Sequence, residues 1–429
     1  MNAAAAIIGH VRGRFRSQAG RRLVWSMAAA IAARGSLLVL AVVLARQLGP
    51  SGYGTFTFAT GMALLAAQIA VLGWPQLMNR MIPPLLRDRD WPRLKGLRDM
   101  GDAVVFTASL GAALILAALS LLFPKLSEGF LLGALLTVPF ALAILRRQQL
   151  AAVRLPGMGL LFDQGFGAIL TVAVLLALGG GQVLGEAVLF FGAMIVVGVV
   201  VTTIVFRRRL PPELAGAERR FEFRAWMAIA LPILVGLSSR IFMNKTDVLM
   251  LAPLSNMHEV GLYGAAFRIT YVLTFPQVVM MSVVTPLFSE AFAHERHRQV
   301  RRLLGGALLF AAVTALPFSL ALVLFPELVM TSLFGEAFAP AAPTLALLAV
   351  GQLATSLAIP FGGLLTMGGR ERVFGGINLA GLALHVALNF LLVPTMGATG
   401  AAIATLCVAV SLLVTQVIAN RAILAGRQR

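Results

Sequence analysis

The chain has 429 residues, of which 59% are hydrophobic and 12% charged, with a mean hydropathy of +0.90. Soluble domains carry charge on about a quarter of their residues, so this composition excludes a soluble protein and indicates a membrane one. The net charge of +18 would suggest nucleic acid in a soluble chain; here it lies in loops, where it faces anionic lipid headgroups. One cysteine, Cys407, excludes an intrachain disulfide and offers no metal cluster.

Residues 1–23 form a basic arm with Arg12, Arg14, Arg16, Arg21 and Arg22, read as either a surface amphipathic helix or a disordered tail. The apolar run that follows is too long for a cleavable signal peptide, so it is expected to remain as the first span. Twelve spanning helices are predicted, at 24–45, 55–74, 103–123, 129–145, 158–178, 186–206, 226–251, 262–288, 304–326, 343–366, 374–394 and 400–420. Each is close to the ~20 residues that cross hydrocarbon as a helix, and no ten-residue alternation suggests a barrel. Basic residues occupy alternate gaps: the arm, then Arg80 to Arg98, Arg146 to Arg154, Arg207 to Arg224, Arg296 to Arg302, Arg370 with Arg372, and Arg421 to Arg429. The intervening gaps hold only Arg46 and Lys125. By the positive-inside rule both termini and the stretch 207–225 are therefore cytoplasmic.

The stretch 207–225, with Pro211, Pro212 and Gly216, reads as a linker between six-helix halves at 24–206 and 226–429. Two internal matches agree with this division. Gly52-Tyr53-Gly54 corresponds to Leu262-Tyr263-Gly264, and Pro139-Phe140 before Arg146 corresponds to Pro360-Phe361 before Arg370. An even number of spans separates the copies, so the repeat is parallel, and transporters of this construction bind substrate between their halves.

Several short pieces, in order across nearly the whole chain, resemble the polysaccharide flippase branch of the multidrug, oligosaccharidyl-lipid and polysaccharide transporter superfamily. They are Ala45-Arg46-Gln47-Leu48-Gly49-Pro50 with Gly52-Tyr53-Gly54, Leu72-Gly73-Trp74-Pro75, Val260-Gly261-Leu262-Tyr263, Leu333-Phe334-Gly335, and Asn389-Phe390-Leu391-Leu392-Val393-Pro394 followed by Gly400 to Thr405. The resemblance implies an all-α, MATE-like fold in which two six-helix lobes form a V around a central cavity. It also implies transport of an oligosaccharide carried on polyprenyl diphosphate across a bacterial inner membrane. The implied partners are that lipid-linked substrate, membrane lipids and polysaccharide polymerase or ligase machinery, with no cofactor and no nucleic acid. Peptidoglycan-precursor flippases of the superfamily usually have two further helices, which makes that precursor a less expected cargo.

Four cations fall within the predicted spans: Arg34, Arg240, Lys245 and Arg268. A charge at the bilayer centre costs roughly 2.5–3.5 kcal/mol on insertion scales, so each must face protein, water or ligand. Arg34 and Arg240 lie near mid-membrane in the first spans of the two halves. A guanidinium there is suited to a diphosphate, which takes two hydrogen bonds from its planar fork, or else is satisfied by neighbouring carbonyls. Lys245 and Arg268 lie nearer span ends, where ligand contact and snorkelling to the interface are both open. Arg240, Asn244 and Asp247 are spaced to share one helical face, and Asp247 is expected to pair with Arg240 or Arg268, as a coupling device or a static salt bridge. Asp163 reads as interfacial. His385 reads as a hydrogen-bonded packing residue because no acid is near it in sequence. His294 and His297 are three apart, not the four of a zinc helix, and read as a solvated loop.

Two other function classes remain. A drug or cation antiporter of the same superfamily would need acids in its cavity, where four cations face only Asp163 and Asp247. A membrane polymerase or ligase would need a large outer loop for sugar chemistry, and every outer gap is short. A non-enzymatic flippase is the expected function.

Overall fold

The computed structural model describes residues 18–178, 184–243 and 245–424, with side chains at 235–242 and a few other positions outside the described set. Among the described residues there are helices and no strands. They form two compact units, divided between Lys245 and Thr246.

The first unit opens with the helical run Gln18–Ala70, which turns back at Gly49, where φ is +66° and ψ is −178°. Only glycine adopts that conformation cheaply. Pro50 then starts the next helix at the position where a missing N–H costs nothing. The run is thus two helices, α1 (18–48) and α2 (50–70). A second break at Leu72 and Gly73, both with positive φ, leads into α3 (Trp74–Arg87). The second span therefore stops at Ala70, short of its predicted end at 74, and α3 is a separate helix. Next comes α4 (Trp91–Leu122), which begins well before the predicted 103 because Asp90 caps it, accepting from the Arg93 amide at 3.2 Å, and Pro92 lies in its first turn. The unit continues with α5 (Ser127–Ala152), α6 (Pro156–Ala177, with a π-helical turn at Leu161–Gly165) and α7 (Leu184–Arg209). Helix α7 ends on Arg207, Arg208 and Arg209, where cations complement the helix dipole.

The stretch after α7 is held against the start of α4. Lys95 Nζ donates to the carbonyls of Ala215 and Ala217, each at 2.7 Å. Arg93 pairs with Glu222 at 2.6 Å, Arg219 with Asp99 at 2.9 Å, and the Arg220 amide donates to the Pro92 carbonyl at 3.1 Å. Gly96 makes this approach possible, since a Cβ there would lie 1.9 Å from the Arg220 carbonyl oxygen. We expect Gly96→Ala to lift the segment from α4 and to speed tryptic cleavage after Arg219, Arg220 and Arg224, measured against wild type in detergent. Unchanged cleavage kinetics would show that α4 does not restrain it.

Beyond this segment, α8 (Phe223–Met243) packs into the first unit. Trp226 meets Trp74 edge to face at 6.0 Å between ring centroids, and both are buried. The carbonyl of Ala230 lies where a Cβ of Gly73 would be, 2.2 Å away. By packing, α8 thus lies with the first unit, fitting against a backbone break that glycine leaves open.

The second unit comprises α9 (Thr246–Leu254), α10 (Met257–Tyr271), a 3-10 turn at Val272–Thr274, α11 (Phe275–Ala293), α12 (His297–Leu324), α13 (Pro326–Phe334) and α14 (Ala342–Met367). It closes with the run Glu371–Leu424, which turns at Gly397 (φ +55°, ψ −131°) into α15 (371–396) and α16 (398–424). Glu259 serves that turn by accepting from the Ala398 amide at 2.8 Å. A buried cluster around Phe288, Val300, Leu364 and Leu365 ties α11, α12 and α14 together.

Among the described residues eight helices are individually long and apolar enough to span a bilayer. Two of these are the double helices that turn at Gly49 and Gly397, and α10 with α11 forms one further, bent span. Counting each double helix as two gives eleven of the twelve expected spans among the described residues, and the expected seventh is represented by the shorter apolar helix at Phe223–Leu234. Large apolar side chains such as Leu121, Leu122, Leu309, Val313, Phe390 and Leu391 are exposed, whereas Ala59, Ala63 and Ala67 are buried. That is the arrangement of helices that meet through small residues and turn bulky ones to lipid.

Candidate functional site

Helix α9 begins with Thr246 and Asp247 directly after the break that follows Met243. Asp247 is 5% exposed. A buried carboxylate is tolerated only when its oxygens are hydrogen-bonded, and here three other helices supply four polar partners. Tyr263 Oη of α10 donates to Oδ2 at 2.6 Å, Asn389 Nδ2 of α15 to Oδ1 at 3.0 Å, and Thr405 Oγ1 of α16 to Oδ2 at 3.1 Å. His385 Nε2, also on α15, lies 2.8 Å from Oδ1. His385, Asn389 and Tyr263 are 3%, 0% and 1% exposed.

The donors are not locked into a single pattern. Tyr263 Oη and Thr405 Oγ1 are also 3.2 Å apart, and Thr405 Oγ1 lies 3.4 Å from His385 Nε2. Each hydroxyl has one hydrogen, so a proton arriving on Asp247 would free one of them to bond the other or the imidazole. Nδ1 of His385 and Oδ1 of Asn389 are buried with no hydrogen-bond partner among the described residues. A carboxylate beside an imidazole, with adjacent hydroxyls able to re-aim, can hold and pass a proton.

These contacts correct two expectations. Asp247 pairs with His385 and, among the described residues, not with Arg268; the side chain of Arg240 lies outside them. The expected shared face of Arg240, Asn244 and Asp247 presumed one continuous helix, whereas α8 ends at Met243 and α9 begins at Thr246; Asn244 and the Arg240 side chain lie outside the described residues. Likewise His385 does have an acidic partner, one brought from a distant helix, and reading only sequence neighbours missed it. The signal that could have found it is the i, i+4 pair His385 and Asn389, two polar residues on one face of an otherwise apolar span.

The other named cations are placed less fully. Arg34 on α1 and Lys245 are half-buried, each with a polar or ionic interaction. Arg240 lies on α8, but its side chain is outside the described residues. Arg268, on the last turn of α10, is half-buried and has no ion-pair partner among the described residues. Asp163 lies in the π-helical turn of α6 and pairs with Arg147 at 2.6 Å. His294 and His297 flank the turn between α11 and α12, with Glu295 at φ +51°.

The first unit has its own buried polar centre. Arg146 of α5, 7% exposed, grips both oxygens of Asp102 on α4 at 2.8 and 3.0 Å and donates to Gln149 Oε1 at 2.6 Å. Gln149 Nε2 returns to Asp102 at 3.2 Å and to Met78 Sδ at 3.1 Å. A bidentate guanidinium with its neighbours satisfied is a static clamp between α3, α4 and α5. Sequence reading had assigned Arg146 to a loop.

Comparison with known proteins agrees with this fold. A MatE family model matches residues 232–391. The inward-facing structure of a multidrug resistance MATE family transporter superposes with a TM-score of 0.68 at 15% identity, over 94% of this chain and 97% of that one. The lipid II flippase MurJ in an inward closed conformation gives 0.58 at 13% identity, over 89% and 87%. Among curated proteins, the chain is 22% identical over 164 residues to a probable low-salt glycan biosynthesis flippase, Agl15, of Haloferax volcanii, covering 38% of this chain and 35% of that one. An uncharacterized membrane protein of Methanocaldococcus jannaschii is 22% identical over 217 residues, 49% and 43% of the two chains. The matches thus span well under two thirds of those curated relatives. The chain has the MATE fold, all-α and multi-pass, with twelve spans in two six-helix lobes. The solved structures show the fold, while the family model and the curated relatives match only part of the chain.

Proposed function

We propose that the chain flips a polyprenyl-diphosphate-linked oligosaccharide from the inner to the outer leaflet of a bacterial inner membrane by alternating access of its two lobes, with both termini cytoplasmic. The observation that carries this reading over drug antiport is the sign of the intramembrane charge. Arg34, Arg240, Lys245 and Arg268 lie within the spans, while the two acids there are already engaged, Asp163 by Arg147 and Asp247 by His385. An anionic diphosphate suits that balance and a cationic drug does not. Relatedness to the probable glycan flippase supports the same side.

In this function Arg34 and Arg240 bind the diphosphate, Arg268 and Lys245 contribute further positive charge, and Asp247 couples transport to protonation. Four helices meet on the Asp247 carboxylate, so a proton there alters how four spans of one lobe are held together. Moving an anionic diphosphate outward across an inside-negative membrane releases roughly 2.3 kcal/mol per net charge per 100 mV, whereas exporting a cationic drug works against that potential.

The test is reconstitution. In liposomes with a fluorescent lipid-linked oligosaccharide on the starting leaflet, translocation should appear with the protein and accelerate when that side is made negative at fixed pH. A lipophilic cationic dye should not be moved. Dye antiport driven by a proton or sodium gradient, with no flipping of the glycolipid, would reject the proposal and establish the antiporter.

A further inference from the structure

Where the segment after α7 crosses the start of α4, the first unit carries an open cavity of about 790 Å³. Lys95, Arg98, Arg207 and Arg219 line one part of it, Ala103, Val104 and Thr107 of α4 another, and Phe221 and Phe223 stand on its wall. Asp99 is the acid among the lining residues. Arg98 and Arg219 share its Oδ1 and Oδ2 at 2.7 and 2.9 Å, so two guanidinium groups are balanced by one carboxylate. Lys95 donates to the carbonyls of Ala215 and Ala217, which leaves its charge uncompensated. Arg207 is exposed and has no ion-pair partner among the described residues. The other acids of the segment, Glu213, Glu218 and Glu222, are not among the lining residues, and Glu222 is taken by Arg93 and Arg220. The cavity is therefore positive by three charges, counting four cations against Asp99.

Positive charge is only half of its character. From Lys95 to Thr107 the lining runs about 18 Å along α4 at ~1.5 Å per residue, from the cationic end to an apolar face. Phe221 and Phe223 are 51% and 47% exposed, an unfavourable placement for two phenyl rings in water and a favourable one against an acyl chain. A site with cations at one end and apolar surface leading from them into the bilayer matches a phosphate headgroup with its hydrocarbon tail.

We propose that this cavity is a binding site for an anionic glycerophospholipid, its phosphate held by Arg207, Arg219 and Lys95 and an acyl chain laid along Ala103, Val104 and Phe223. The lipid would join α4, the end of α7 and the segment between the halves through a single headgroup. Its placement at the inner leaflet rests on the topology proposed above. Its existence does not rest on the flippase function.

Native mass spectrometry of the full-length protein tests this directly. With phosphatidylglycerol added to delipidated protein, wild type should retain a bound lipid that Arg207→Gln/Arg219→Gln binds roughly 30-fold more weakly, since each basic residue near an anionic headgroup contributes about a factor of five. Arg301→Gln/Arg302→Gln removes the same charge elsewhere and should bind as wild type. Phosphatidylcholine should not compete. Equal binding by both double variants, or equal competition by phosphatidylcholine, overturns the site. Displacement by inorganic phosphate alone would show a free-anion site instead, and preference for undecaprenyl diphosphate would make it an entry site for transported lipid; both overturn the phospholipid assignment. Glycan flipping is not read in this experiment, so its failure leaves the proposed transport function standing.

Discussion

Arg34→Ala and Arg240→Ala are each expected to lower flipping of lipid-linked oligosaccharide at least tenfold while the protein remains folded in the membrane. A charge-assisted hydrogen bond to phosphate contributes about 1.5–3 kcal/mol, and a bidentate fork makes two of them. Arg34 sits on α1 and Arg240 on α8, the helices that open the two sequence repeats. Lysine replacements should recover part of the rate, because a point charge attracts phosphate without matching its geometry. The measurement is initial translocation rate in liposomes at matched protein content. Normal flipping by both alanine variants would remove this pair from substrate binding and leave them as helix-packing arginines.

Asp247 gives the second large effect, and two substitutions separate its roles. Asp247→Ala removes the acceptor shared by Tyr263, Asn389, Thr405 and His385, leaving these buried groups only the longer contacts among themselves. Breaking a buried pair in this way costs about 3–5 kcal/mol, a large part of the ~5–15 kcal/mol that holds a typical domain together. That variant should be recovered poorly in detergent and melt early. Asp247→Asn keeps the shape and one acceptor oxygen but removes the titratable group. It should fold, and its flipping rate should lose most of its dependence on pH while keeping its response to an imposed potential. A wild-type pH profile in Asp247→Asn would exclude Asp247 as the coupling group. A wild-type melting temperature in Asp247→Ala would show that the carboxylate does not hold the four helices.

How much of this was legible in the sequence differs between fold and site. Hydropathy and alternating basic gaps located every span because the cost of burying charge in hydrocarbon acts on each residue locally. The ends were read less well where a polar stretch is helical for other reasons. Residues 91–102 are charged, yet Asp90 and Pro92 start α4 there and the segment after α7 covers it. The candidate site was legible only in part. Asp247 stood out as an intramembrane acid, but its partners come from α10, α15 and α16, and no local period links helices so far apart. A continuous helix was expected from Trp226 to Leu251, whereas helix stops at Met243 and resumes at Thr246.

The turns at Gly49 and Gly397 bear on how the chain enters the membrane. In each case two spans are joined through one non-helical residue, leaving no loop long enough to wait in water while its second helix is made. The backbone groups at such a turn must be satisfied as the pair arrives, because hydrocarbon offers them no hydrogen-bond partners. Each pair is therefore expected to insert together, as a hairpin delivered to the bilayer in one step. Lengthening either junction with a flexible insert would convert that single delivery into two separate insertion events and expose the intervening chain to misorientation.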